Sequence, residues 1–416
     1  MWIRLILLLV VFTYHISYSD VDVSLLLLYL IVLGSSISYF YSLNNIFDLR
    51  IWFVPLFTIT NSLSIASEEY LLGGVKILSS YSPLKILTSL FIFNISMEVF
   101  SIIKSKTNVL TNHEIEYNFS YVKVIFMMIF TYLYFIFDFI RLDGFSHLSS
   151  YGENQYEYSI YDVLMNFFTI TWSIGVILIS TRLKGFLLAS WFIFNIIFIV
   201  ITRVLLGFRG IMVLLLIIML FTIIGKYRIR KSIMLLLGIC IFIIHSSFGI
   251  YRGGADFKIE DILFQLGMEF SIISQINYVV FNEFTSYKYG FSFISGFINI
   301  IPGARILFTD YLFYPALFFN SELVPKNENQ GYGFSFLSEL YMNFGIWGAA
   351  LFPLFLTYIN SFLNAVYGSL KWILSSILIY LLSRILRSDS IEFIKVISYS
   401  YFTLQFLKIK NNYVWN

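Results

Sequence analysis

Long apolar stretches recur from one end of the chain to the other, and they constrain it more than any motif does. A bilayer core about 30 Å thick takes roughly 20 mostly apolar residues per helix. Runs of that character occupy 1–19, 23–41, 51–66, 84–103, 121–140, 162–180, 186–202, 211–225, 232–250, 339–362, 372–387 and 391–407. No soluble core can hide them. Apolar residues are 59% of the 416 and charged residues 12%, where soluble domains carry about 45–50% and 25%. The chain therefore reads as an all-α polytopic membrane protein of about 12 spans. Met1–Ser19 lacks a small-residue cleavage site and reads as a retained first span, not a signal peptide.

The same numbers exclude other classes. A net charge of +3 is too small to imply a polyanion-binding surface, and nucleic acid is not an expected partner. Cys240 is the single cysteine, so no intrachain disulfide forms. The 7 Trp, 30 Tyr and 46 Phe suit interfacial belts, with sugar-stacking rings a minority among them. His15, His113, His147 and His245 are scattered without metal spacing, and no Walker loop, dinucleotide fingerprint, nucleophile elbow or HExxH is present. Asp20 and Asp22 form a DxD-like pair, but acids between short helices more often act as caps. Neither a metal nor a cofactor is expected.

Basic residues set the orientation. Lys104 and Lys106, the segment Thr181–Lys184 and the segment Lys226–Lys231 fall on alternate turns, and Arg4, Arg50, Lys371, Lys408 and Lys410 fall on the same side. That side is cytoplasmic by the positive-inside rule, which makes both termini cytoplasmic. The turns at 20–22, 67–83, 141–161 and 203–210 and the stretch 251–338 then face the periplasm across a bacterial inner membrane. The expected division is a bundle of about nine spans over 1–250, a large periplasmic loop over 251–338, and about three spans with a short cytoplasmic tail over 339–416.

Within the loop, 262–281 is apolar yet carries Gln265, Glu269, Gln275 and Asn277. A carboxylate in a lipid-facing span costs several kcal/mol. Helices along the membrane surface or re-entering a cavity are preferred. Pairing 262–281 with 289–308 as two further spans is the alternative, so the range is 12–14. No internal repeat or inverted symmetry of the transporter kind is visible.

Four arginines break the orientation rule: Arg203 and Arg209 in "RVLLGFRG", Arg252 in "YRGG" and Arg305 in "PGAR". A guanidinium fork grips phosphate oxygens in pairs, and glycines beside Arg209 and Arg252 let a bulky headgroup approach. Together they suit a lipid diphosphate; singly, such arginines also snorkel or cap helix ends. Glu339 enters the tenth span at its outer end, where it would deprotonate an acceptor hydroxyl or else answer a helix dipole. Glu269 is the second such candidate. Tyr251, Tyr341 and Asn343 are placed to meet sugar hydroxyls or to pack.

Three passages carry a family likeness: "RVLLGFRG" at 203–210; "YRGG" at 251–254 with Met268–Ser271, leading to "YGFSFISGFINIIPGAR" at 289–305; and "GYGFSFLSELYMNFGIWG" at 331–348. With this order and one large outer loop, the chain resembles Wzy-type O-antigen polymerases. The resemblance implies a GT-C-like, metal-independent membrane glycosyltransferase. Its substrates would be undecaprenyl-diphosphate-linked oligosaccharide repeat units, one donating its glycan to the other for lipopolysaccharide O-antigen or capsule. A flippase, a chain-length regulator and membrane lipids are the implied partners. An O-antigen ligase, which transfers to lipid A core, shares these features, and about twelve spans also fit a flippase or transporter.

Overall fold

In a computed structural model the described residues are 30, 32–36, 48–62, 71–72, 75–76, 82–107, 119–142, 160–204, 206, 209–227, 272–301, 308, 312–323, 334–366, 368–386 and 388–408. Nearly all are helical, apart from one two-residue antiparallel pair, β1 (Leu71–Leu72) with β2 (Val75–Lys76). Among the described residues five segments are long and apolar enough to cross a membrane: Leu84–Ile103, Tyr121–Arg141, Leu164–Arg182, Gly185–Val204 and Phe336–Asn364. The described residues are thus nearly all helical, with the long apolar helices of a membrane-embedded protein. The expected spans at 1–19 and 232–250 lie outside the described residues.

The chain folds into two compact units, each assembled from three separate segments. The first takes residues 1–113, 267–365 and 381–394. It contains α1 (Leu49–Ser62), α2 (Ser82–Thr107), α7 (272–283), α8 (Phe291–Ile298), α9 (Pro315–Phe318, continued by a π turn, Phe319–Leu323), α10 (Phe336–Phe344), a 3₁₀ segment (Gly345–Ala350) and α11 (Leu351–Ala365). The second takes 114–266, 366–380 and 395–416. It contains α3 (Tyr121–Arg141), α4 (Ile160–Arg182), α5 (Gly185–Ile199, continued by a π turn, Val200–Val204) and α6 (Arg209–Tyr227). Two later helices, α12 (Gly368–Ile385) and α13 (Ser390–Leu407), each contribute residues to both units.

Helix α3 shows how sequence period becomes membrane structure. Val122, Ile125, Phe126, Ile129, Phe130, Leu133, Ile136, Phe137 and Ile140 recur at three- and four-residue spacing and are all exposed. Residues so spaced share one helix face. Such a continuous apolar stripe is far larger than a water-soluble surface tolerates, and it suits hydrocarbon. The opposite face buries Val124, Met127, Met128, Thr131, Phe135 and Asp138. It approaches α4 closely at Gly175, where any added Cβ would lie 2.1 Å from Met128 Sδ. Thr131 and Asp138 therefore point inward.

The first unit has an aromatic centre. Phe57 lies 5.1 Å from Phe53 and 4.6 Å from Phe93, and Phe352 lies 5.0 Å from Phe53 and 4.8 Å from Phe336. Beside it, buried amides and hydroxyls satisfy one another across helices. Asn61 Oδ1 accepts from Asn277 Nδ2 at 2.8 Å and from Ser335 Oγ at 3.0 Å, and Ser338 Oγ donates to Asn277 Oδ1 at 2.7 Å. Asn277, one of the polar residues that favour a helix lying along the membrane surface or re-entering a cavity, faces protein and is fully buried, with its polarity matched by partners.

Among the described residues the apolar run 289–308, the second half of the alternative hairpin, contains the eight-residue α8, about 12 Å at 1.5 Å per residue; 302–307 lie outside the described residues. The tenth span, expected as one helix over 339–362, is broken into α10, the 3₁₀ segment and α11. The break falls at Gly345, with φ 66 and ψ −157, a conformation open essentially to glycine alone. Its Cα also lies against Tyr287, whose ring atoms would sit 3.1 Å from an added Cβ. Gly345→Ala is expected to cost roughly 1–3 kcal/mol through backbone strain, plus displacement of Tyr287. A lower unfolding temperature in detergent, with the same helix content by circular dichroism, is the measurement that checks it.

Candidate functional site

Two buried clusters of charged and polar side chains stand out, one in each unit. In the second unit, Arg203 closes the π turn that extends α5. Its side chain is fully buried, although the sequence placed it in an outer turn. A π turn is a rare widening of the helix, often found at functional positions. Here it brings the guanidinium over the ring of Phe135, 4.2 Å from the centroid, and onto Asp138 of α3, with Nη1 donating to Oδ2 at 2.6 Å. Asp138 Oδ1 accepts a second arginine, Arg141, from Nη2 at 2.6 Å and from Nε at 3.0 Å. Arg141 lies one helical turn further along α3 and stacks on Tyr161 at 4.2 Å.

Two guanidinium groups against one carboxylate leave this cluster with a net charge of +1. Arg203 also has donors to spare: among the described residues nothing accepts a hydrogen bond from Nε or Nη2, and both are buried. A buried donor left unmade costs about 1–3 kcal/mol, more when charged. The arrangement is therefore suited to receive an anionic oxygen group. Arg209, the first residue of α6, enters the description through its backbone alone. Arg252, Arg305, Glu269 and Tyr251 lie outside the described residues.

In the first unit, Glu339 occupies the first turn of α10, behind the N-cap Ser335, and is fully buried. Its Oε1 accepts from Ser292 Oγ of α8 and from Ser390 Oγ, both at 2.6 Å, and its Oε2 accepts from the Ser390 backbone N–H at 2.6 Å. Asp389 is buried close enough for its charge to act on Glu339. Asn343 lies one turn beyond Glu339. Its Nδ2 donates to Ser292 Oγ and to the Glu339 carbonyl, each at 2.8 Å, and its Oδ1 accepts the Gly290 N–H at 2.9 Å. Asn343, Ser292 and Glu339 thus form a continuous hydrogen-bonded chain. Tyr341 is buried and stacks on Phe281 at 3.9 Å between centroids.

Of the residues singled out from sequence, Glu339 and Asn343 lie in one hydrogen-bonded chain, and Tyr341 packs among aromatic rings. Asp138, Arg141, Ser292, Ser390 and Asp389 were not among the residues singled out from sequence. Asp138 and Arg141 carried a usable signal, an oppositely charged i,i+3 pair in an otherwise nearly uncharged run. Ser292 and Ser390 carried none, because a serine in an apolar segment is common and its partner lies far along the chain. Among the described residues no cluster of His, Cys, Asp and Glu has the makings of a metal site.

No family model matches the chain, and no curated protein or solved structure matches it significantly.

Removing the carboxylate between the two arginines should be severe. Asp138→Ala leaves a buried guanidinium uncompensated and is expected to cost roughly 3–5 kcal/mol. Asp138→Leu combined with Arg203→Met removes both partners and should recover much of that loss. Unfolding temperatures of the single and double variants in one detergent test the pair.

Proposed function

We propose that the protein is a membrane glycosyltransferase of the O-antigen polymerase kind, joining undecaprenyl-diphosphate-linked repeat units on the periplasmic face of the inner membrane. The supports are the three passages that resemble such polymerases, the membrane-embedded helical architecture, and above all Arg203. A buried guanidinium with two unmet donors, inside a cluster of net positive charge, is what a diphosphate leaving group needs: a preorganised positive field that is present before charge develops.

Transfer breaks the bond between the donor glycan's anomeric carbon and the diphosphate oxygen, and forms one to a hydroxyl of the acceptor sugar. The electron pair of the broken bond stays on the diphosphate, which Arg203 would stabilise. The acceptor hydroxyl loses a proton. A carboxylate base takes it, the role that the resemblance gives to Glu339. The proposed GT-C-like scaffold and the span count of 12–14 belong to the same reading, as do the diphosphate roles of Arg209, Arg252 and Arg305, the base role of Glu269 and the sugar contact at Tyr251.

Gene deletion with a lipopolysaccharide ladder as readout tests the activity. Loss of polymerase leaves one repeat capping each core, while a core with no O-antigen indicates a ligase instead. Complementation then tests the residue. Arg203→Ala is expected to cut polymerisation of purified lipid-linked repeats by roughly 10–100-fold for each charge-assisted bond lost. Arg203→Lys should rescue only part, because an ammonium cannot present the planar fork. An Arg203→Ala protein that inserts normally and polymerises at the wild-type rate would remove Arg203 from the mechanism.

A further inference from the structure

The end of the second unit away from Arg203 carries a different kind of chemistry. Helices α3 and α5 start there and α4, α6 and α13 finish there, so their terminal basic residues converge. Side-chain and backbone contacts tie five cations into one patch. Arg182, at the end of α4, stacks on Tyr121 at 4.2 Å and donates from Nε to its hydroxyl at 2.7 Å. Lys123, two residues on, donates from Nζ to the Phe406 carbonyl at 3.0 Å and lies 5.4 Å from that ring. Lys408 follows on α13 and bridges Phe119, while Ser120 N donates to the Leu407 carbonyl at 3.1 Å. Lys226, at the end of α6, donates from Nζ to the carbonyls of Ser180 and Leu183. Lys184, beside Leu183, acts on Lys226 electrostatically.

Three features show what this patch lacks. First, Arg182, Lys184 and Lys123 are exposed. Second, among the described residues no carboxylate lies at this end; Glu114 and Glu116, just before α3 in sequence, are outside them. Third, the cations repel one another: burial first, and the charge of Lys184 second, pull the Lys226 ammonium below the ordinary lysine value. The exposed Arg182, Lys184 and Lys123 are therefore open to a counter-charge from outside the chain. The depth of the patch is set by the helices, since it sits at the ends of three segments long enough to span a bilayer, Tyr121–Arg141, Leu164–Arg182 and Gly185–Val204. At that depth lie lipid headgroups. Tyr121 supplies the amphipathic ring that favours this zone.

We propose that this basic, aromatic end is a binding surface for anionic phospholipid headgroups of the surrounding bilayer, with Arg182, Lys184 and Lys123 as its exposed contacts and Lys226 and Lys408 as the flanking charge. Arg182 is pre-oriented by Tyr121, so a headgroup phosphate meets a guanidinium already held in place. Occupancy would relieve the repulsion between Lys184 and Lys226 and pin the ends of α3, α4, α5 and α6 together.

The test uses the full chain in a neutral detergent, with phosphatidylglycerol or phosphatidylcholine added and the lipid adducts counted by native mass spectrometry. Wild type is expected to retain phosphatidylglycerol in preference to phosphatidylcholine, and to lose the preference as salt is raised. Arg182→Gln combined with Lys184→Gln should weaken phosphatidylglycerol retention by roughly 25-fold, at about fivefold per basic residue near an anionic surface. Lys123→Gln alone, which leaves the Arg182–Tyr121 contact intact, should give about fivefold, so the proposal stays testable if the double variant unfolds. Equal retention of the two lipids by wild type, or a preference that survives both sets of substitutions, overturns it. None of these readouts depends on polymerisation.

Discussion

A charged or amide side chain inside an apolar slab has to find its partner inside the protein, because no water is there to supply one. Much of this structure is organised by that constraint. Asp138 holds Arg203 and Arg141 at once. Asn195 draws in the Trp172 indole N–H at 3.1 Å and the Tyr132 hydroxyl at 2.9 Å. Asn61, Asn277, Ser335 and Ser338 close a similar network in the other unit. Each of these joins different helices, and each fixes rotation about the helix axis in a way that apolar contact alone does not.

The two clusters differ in how completely they are satisfied. Around Glu339 every donor is matched by an acceptor, so the carboxyl ties α8, α10 and the start of α13 into one arrangement. Around Arg203 the matching is incomplete, and the surplus is a donor surplus carrying positive charge. Polar groups left unmatched in a folded interior are where a ligand gains most from binding, which is why the functional reading leans on Arg203. Positive φ at Gly345 serves to break a helix, and at Tyr289 (φ 48) and Gly290 (φ 86) it brings two backbone N–H groups onto Asn343.

Charge is also sorted along the second unit. Five cations gather where α3 and α5 begin, and the Asp138 cluster sits where those helices end. Three of the first group, Lys123, Arg182 and Lys184, are exposed, as a surface meeting headgroups would be. The second is buried and partly neutralised, as a site receiving a single anionic group would be. One helical bundle can present both because its antiparallel helices carry their termini alternately to each side.

The amino-acid sequence by itself determined that the chain is helical and membrane-embedded, and it located most of the helices. Helix α3, expected over 121–140, runs Tyr121–Arg141, and the expected 391–407 is Ser390–Leu407. These features are local, since hydrophobic periodicity and length are properties of consecutive residues. Glu339 was legible as a carboxylate in an apolar setting, and so was its neighbourhood with Asn343 one turn away. What only the tertiary structure decided is which side chains face one another. Arg203 looked like a turn residue because its partner, Asp138, lies 65 positions earlier. Ser292 and Ser390 reach Glu339 from 47 and 51 positions away. The break at Gly345 was hidden for a related reason: an apolar run records burial in the membrane, whereas a positive φ is imposed by what packs against the backbone.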